Sequence, residues 1–292
     1  GSVLGASQEL GNVTNDMLVR DISVKNVSVS GGTFNHVVQD DYCAIGYVPT
    51  PKDGKYGVKA AEGNAYYTDA SGKIVYGTLT ELLNSSATSG RTIKLLSDVM
   101  VDAEYIFVNS TKTIDLNGKT LDIAGKLFGF GKIIDSTDGT GLLKVGDMTG
   151  SQLPAENGYL AVKDGDGYRL YQYTLAHYLT GYHKVDDNTV LFAVTIQFTN
   201  KEAWQKIKAD DNSVELWYNA TWNGNESTFR FLPGVLNGIA AQVTQGSQTV
   251  YFTMKITGFN NLTSGSKFVM TPQLKCALFT QSLNAVTYTI GG

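Results

Sequence analysis

"TIKLL" at 92–96, "TIDLNGKTLDI" at 113–123 and "KIIDSTDGTGLLKV" at 132–145 are one theme written three times. Ile93 and Ile114 are 21 residues apart, as are Leu95 and Leu116, and Leu121 and Leu142; Asp115 and Asp135 are 20 apart. Each copy carries a short apolar strand, and Asn117-Gly118 and Asp138-Gly139 are dipeptides that favour tight turns. This period, with strands this short, is what one coil of a solenoid requires. A coil buries its apolar interior only when a neighbour stacks on it. The repeat therefore predicts a parallel β-helix.

Two helix signals precede the repeat. In "GTLTELLNSSATSG", Thr78 and Glu81 form a capping box, Leu79, Leu82 and Leu83 share one face, and Gly90 ends the run. Earlier, an apolar-punctuated run from 19 to 34 stops at Gly31-Gly32. After it, Val37, Val38, Tyr42 and Ile45 stand at helical spacing, with Asn35 placed to cap the start and Gly46 to end it. Such a segment predicts an apolar lid over the open end of a solenoid. If the chain holds a single β-helix, the 19–34 strands should run parallel to those of Ile93, Ile114 and Ile133.

"RTIKLLSDV", "TIDLNGKTL", "SGGTFNHVVQDDYCAIGY" and "DGKYGV" resemble the right-handed parallel β-helix modules of large cell-surface proteins of gut bacteria. The resemblance covers roughly 20–60 and 64–145 and implies a non-catalytic module for adhesion, display or spacing, secreted or held at the bacterial cell surface. It implies no chemistry. The closing "SGGTF" block here precedes the opening helix, so residues 1–62 read as the strands and closing cap of a β-helix, and 63–150 as short coils behind a capping helix.

Gly150 to Gly158 is a Gly, Pro and polar stretch, and residues 151–163 read as a linker. From 164 to 292 about eight strands follow, at the spacing of an antiparallel Ig-like β-sandwich. Only the stretch after Thr199, with Glu202 completing a second capping box, reads as helix. Alternation puts Val190, Phe192, Val194, Ile196 and Phe198 inside, with Val250, Phe252, Met254 and Ile256, and then Phe268, Met270, Leu274, Cys276 and Leu278. In "SVELWYNATW" the inner set is Val214, Leu216, Tyr218, Ala220 and Trp222, which leaves Glu215, Trp217, Asn219 and Thr221 outside. An aromatic plate flanked by hydrogen-bonding side chains suits a sugar ring, so this face is the candidate carbohydrate-binding site.

Composition excludes several classes. A net charge of −4, with four arginines, offers no basic stripe for a nucleic acid. No apolar run approaches the roughly 20 residues of a membrane-spanning helix. Cys43 and Cys276 form no metal-ligand spacing, and no cofactor or metal is expected. "DGDG" at 164–167 lacks the further acids of a calcium loop and reads as a turn. His36, His177 and His183 have no nucleophile beside them in a recognisable elbow. The N-x-[ST] triplets follow from the abundance of Asn and Thr.

One enzymatic alternative is a β-helix polysaccharide hydrolase or lyase, which needs acids converging on an outer face. Asp115 and Asp135, with Asp98, Asp102, Asp122 and Asp138 nearby, are the candidates, and Lys94, Lys112 and Lys132 are the recurring bases. Glycans, or host or cell-wall surface ligands, are the expected partners.

Overall fold

The computed structural model describes residues 28–151, 159–172, 175–186, 189–198, 200, 202, 214–222, 224–231, 241–244, 247–257, 264–276, 280–282 and 284–289. Two compact units form: residues 1–64 with 76–78, and residues 65–75 with 79–292. Strands dominate, and the chain is all-β with a single short α-helix among the described residues.

In the first unit β1 (Thr33–Phe34), β2 (Tyr47–Lys52) and β3 (Lys55–Ala60) form an antiparallel sheet in the order β1-β3-β2. Asp53-Gly54 makes the two-residue turn of the β2–β3 hairpin. The predicted helix over 36–45 is one 3-10 turn, Asp40–Tyr42. Two causes are visible. Gln39 offers no side-chain cap, and the Tyr42 carbonyl accepts from Val29 N at 2.7 Å while Ala44 N donates to Val29 O at 2.9 Å. These bonds draw the segment into a bridge between Val29 and Cys43.

Val38 is buried, but Val37, Tyr42 and Ile45 are 59%, 41% and 55% exposed, which overturns the lid. Thr33–Phe34 pairs antiparallel with Tyr56–Gly57, so this end of the 19–34 run joins no parallel stack; the rest of the run, through 27, lies outside the described residues.

The second unit opens with β4 (Ala65–Thr68), and β5 (Ile74–Gly77), whose Tyr76 and Gly77 count with the first unit, follows a turn in which Asp69 Oδ1 accepts from Ser71 N, Ser71 Oγ and Lys73 N at 2.6–2.9 Å. Helix α1 (Leu79–Asn84) follows, with Leu79 and Leu82 buried as the spacing predicts. A six-residue helix leaves most carbonyls of its last turn orphaned. Here Thr88 Oγ1 donates to Leu82 O and Ser85 O (2.7 and 2.9 Å), and Lys112 Nζ donates to Leu83 O and to Ser85 O (2.6 Å). Lys112 is only 6% exposed, and burial pushes its ammonium below the usual lysine range.

Eight strands then run in repeating order: β6 (Thr92–Leu95), β7 (Val99–Val101), β8 (Tyr105–Val108), β9 (Thr113–Asp115), β10 (Thr120–Ile123), β11 (Lys126–Gly129), β12 (Lys132–Ile134) and β13 (Leu142–Val145). They pair in three parallel stacks, β6-β9-β12, β7-β10-β13 and β8-β11. The stacks align Ile93 with Ile114 and Ile133, Val99 with Leu121 and Leu143, and Ile106 with Leu127. All eight belong to one buried cluster. Burying a row of this kind stabilises by roughly 1.5–3 kcal/mol per side chain.

Two registers differ from the sequence reading. Leu121 pairs with Leu143 rather than Leu142, and Asp115 pairs with Ile134 and Lys94 rather than with Asp135. Aligned residues are 19 to 22 positions apart, and the buried face decides the register, because a slip of one would send every apolar side chain outward. Asn117 and Gly118 hold the corner after β9 at φ 49° and 75°, where Asn117 Nδ2 reaches Leu95 O of the preceding circuit at 2.9 Å. At Gly125 the circuits touch backbone to backbone; a Cβ there would lie 1.9 Å from Glu104 O.

Antiparallel strands continue two of the stacks. β4 pairs antiparallel with β6, and β14 (Tyr159–Asp164) with β15 (Gly167–Gln172) form a hairpin whose Tyr168 pairs with Leu143. Residues 159–163, read as linker, are therefore strand. "DGDG" is that hairpin's turn, with Asp164 bonded to Arg169 and Asp166 Oδ2 2.7 Å from Lys144 Nζ.

Beyond the hairpin are two antiparallel sheets. One, β16-β17-β21-β20, is built from β16 (Leu175–Asp186), β17 (Thr189–Phe198), β20 (Ala241–Thr244) and β21 (Ser247–Thr257). The other, β19-β18-β22-β23 with β24 also on β22, contains β18 (Val214–Trp222), β19 (Asn225–Phe231), β22 (Lys267–Cys276), β23 (Thr280–Ser282) and β24 (Val286–Thr289). Ala220, Trp222, Phe268 and Met270 are buried, as their alternation predicts. The side chains of β16, save Asp186, and of β17 and β21, with that of Cys276 and the helix expected at 203–207, lie outside the described residues.

Candidate functional site

The acids considered for catalysis turn inward. Asp115 is 1% exposed and Asp135 is fully buried, so the outer acidic face expected from the repeat does not form from these two. Asp115 Oδ1 accepts from Asn117 N within its own turn and from Ser136 N of the next circuit, both at 2.9 Å. Its Oδ2 lies 3.2 Å from Lys94 Nζ, an ion pair without hydrogen-bond geometry.

Asp135 Oδ1 accepts from Thr137 N (3.2 Å), Thr137 Oγ1 (2.6 Å) and, one circuit back, Gly118 N (3.0 Å); Oδ2 takes Gly141 N at 2.7 Å. The exposed Asp98 repeats the pattern, its Oδ1 accepting from Thr120 N at 2.8 Å. Each carboxylate ties the corner of one circuit to the next. Oδ1 of Asp115 and both oxygens of Asp135 are taken up by backbone N–H groups, which leaves those positions closed to a water or a sugar oxygen.

The remaining acids are spread out. Asp138 accepts from Gln172 N (2.7 Å) and Asn200 Nδ2 (3.1 Å), and Asp122 aligns with Lys144 across the stack. Lys112 is spent on the end of α1. His36 is exposed, and the side chains of His177 and His183 lie outside the described residues. Among the described residues, no group of three or more His, Cys, Asp and Glu is arranged to hold a metal, and no helix is long and apolar enough to cross a membrane.

On β18, Trp217, Asn219 and Thr221 share a face, as alternation requires, with Ala220 and Trp222 buried on the other. Trp217 is half-buried, and Lys275 Nζ sits 3.9 Å from its ring centroid, so a cation already covers one face of the indole. Asn219 Oδ1 accepts from Thr228 Oγ1 at 3.1 Å, and Thr221 is exposed. The side chain of Glu215 lies outside the described residues.

A second aromatic surface was missed. On β8 and β11, alternation that buries Ile106, Val108 and Leu127 turns Tyr105, Phe107 and Phe128 outward, with Phe130 just beyond. Tyr105, Phe107 and Phe130 are 55%, 43% and 69% exposed. Ring centroids are 5.4 Å apart for Tyr105–Phe128, 5.7 Å for Phe107–Phe128 and 6.3 Å for Phe107–Phe130. The signal was present: Phe107 and Phe128 are 21 residues apart, the period of the core, and lie in direct register. Beside them a groove of about 1090 Å³ opens between the end of α1 and strands β7 and β8.

No protein-family model matches the chain, and no curated protein matches its sequence.

Proposed function

We propose that this chain is a non-catalytic module for adhesion, display or spacing, secreted or carried at a bacterial cell surface. In this reading the three parallel stacks are a short right-handed β-helix, and the two antiparallel sheets are an Ig-like sandwich behind it. The reading rests chiefly on the fate of Asp115 and Asp135. The acids that a β-helix hydrolase or lyase would need are buried in the corners and occupied by backbone donors. The motif resemblance to surface modules of gut bacteria supports the same conclusion. A stack of circuits gains length without a larger globular core, which suits a part that holds something away from a cell.

The sugar-binding sheet face of Trp217, Asn219 and Thr221 is the second reading, favoured by the exposed Thr221 beside the half-buried indole. The test is accessibility on the source bacterium. Antibody raised against this chain should label intact cells, and protease should remove the label without lysis. Signal that appears only after permeabilisation overturns the proposal.

A further inference from the structure

The groove beside β7 and β8 has two unlike walls. One carries Met100, Tyr105 and Phe107; the other, from the end of α1, carries Asn84, Ser86 and Ser89. Met100 is 78% exposed, and the rings of Phe128 and Phe130 extend the apolar wall along the stack. Four aromatic rings linked in a chain of contacts at a surface, across two adjacent strands, mark a binding site more than a packing need.

The charge around the groove narrows the ligand. Lys112, the cation in its lining, is buried with its donors on α1 carbonyls. Lys126, on the neighbouring strand, pairs with Asp147 at 3.5 Å. The exposed acids at the corner, Asp102 and Glu104, carry no ion pair among the described residues. An anionic ligand would meet these carboxylates, and the two lysines nearest the groove are each already paired. Nor do the edges suit an extended peptide, since β7 is three residues long, β8 is four, and the Asp102–Glu104 corner breaks the line between them. Aromatic rings on one side and hydroxyl and amide groups on the other match a sugar chain, which presents C–H faces and hydroxyl edges.

We infer that this groove is a binding site for a neutral oligosaccharide, with Tyr105 and Phe107 as the stacking platform and Asn84, Ser86, Asp102 and Glu104 as hydroxyl partners. The inference deepens the surface-module reading and rests on it for the setting in which glycans are met.

The test is calorimetric titration of the full chain with β-1,4-linked hexaoses of glucose, mannose, xylose and N-acetylglucosamine, and with hexagalacturonate. At least one neutral hexaose should bind saturably and hexagalacturonate should not. Phe107→Ala, whose exposed ring can be removed without opening a core, should weaken binding about tenfold, and Tyr105→Ala should act in the same direction. Tyr56→Ala, in the other unit, should bind as the wild type does.

The inference is overturned if no neutral hexaose binds, if Phe107→Ala binds like the wild type while Trp217→Ala does not, or if hexagalacturonate or an extended peptide binds more tightly. A failure here with intact-cell labelling retained removes the groove and leaves the module. Absence of labelling removes the module whatever the titration shows.

Discussion

Removing the Asp135 carboxylate should open the corner of the third circuit. Its two oxygens accept four hydrogen bonds, from the amides of Gly118, Thr137 and Gly141 and from the Thr137 hydroxyl. In Asp135→Ala the Thr137 hydroxyl can rotate to water, and the amides of Gly118 and Thr137 lie close enough to the surface to be partly rehydrated. The Gly141 amide is buried and would lose its partner outright, a penalty of roughly 1–3 kcal/mol. With partial losses at the other two amides, the variant should be destabilised by about 3 kcal/mol.

Asp135→Asn should do less harm, about 2 kcal/mol, because one oxygen still accepts while the new amide faces the Gly141 N–H. Native-state hydrogen exchange of peptides spanning residues 113–145 reads both variants locally, independent of the sheets beyond. The Gly141 amide should show the largest loss of protection. If Asp135→Ala leaves these peptides within about 0.5 kcal/mol of wild type, the carboxylate is not a tie between circuits and the reasoning fails.

Three further outcomes follow from the same geometry. Ile114→Ala, in the middle of a buried three-isoleucine row, should lower the stability of the stacked region by about 3 kcal/mol in urea unfolding, the range for a core truncation that neighbours cannot refill. Gly125→Ala should be at least as damaging, at about 3 kcal/mol or more, since its Cβ would meet a backbone oxygen; Gly31→Ala, with nothing within 4 Å, should be nearly silent by the same melt.

Stability should also depend on pH at both extremes. Hydrogen bonds from Ser71 to Asp69, from Thr149 to Asp147 and from Lys144 to Asp166 hold these carboxylates below their ordinary value of 3.8. The stabilisation they give is present above that value and lost as pH falls through the lower folded-state values. Asp166 holds Lys144 above its ordinary 10.5, so that contribution is intact below 10.5 and lost as pH rises further. A pH series of thermal melts should therefore show a plateau with shoulders outside these limits; a slope centred near neutrality would contradict it.

How much of this was legible in the sequence follows from where each signal lives. The period was plain because Ile93, Ile114 and Ile133 repeat an apolar residue that has no alternative place to go. The register of Leu121 was off by one because "GLLKV" offers two adjacent leucines, and only the burial of Leu143 chooses between them.

The aspartates misled because a carboxylate at a strand end is ordinarily solvated. Nothing local reports that two circuits will close over it and supply backbone donors from 17 to 21 residues away. The lid failed for a related reason. Helical spacing at Val37, Val38, Tyr42 and Ile45 was real, but a remote strand pairing at Val29 claimed the backbone. Trp217 stands out in the sequence as a lone indole, whereas Tyr105, Phe107, Phe128 and Phe130 form one aromatic surface only because the 21-residue period places two strands side by side.

The role proposed for the chain at a cell surface is a non-catalytic one, in which polymers it meets are not transformed. It is tested most directly by incubating the purified full chain with a panel of neutral and acidic polysaccharides and following polymer length, reducing ends and unsaturated uronides. Every polymer should keep its length and no new ends should appear, including on polymers on which the chain is retained. Saturable release of product by the wild-type chain would contradict it.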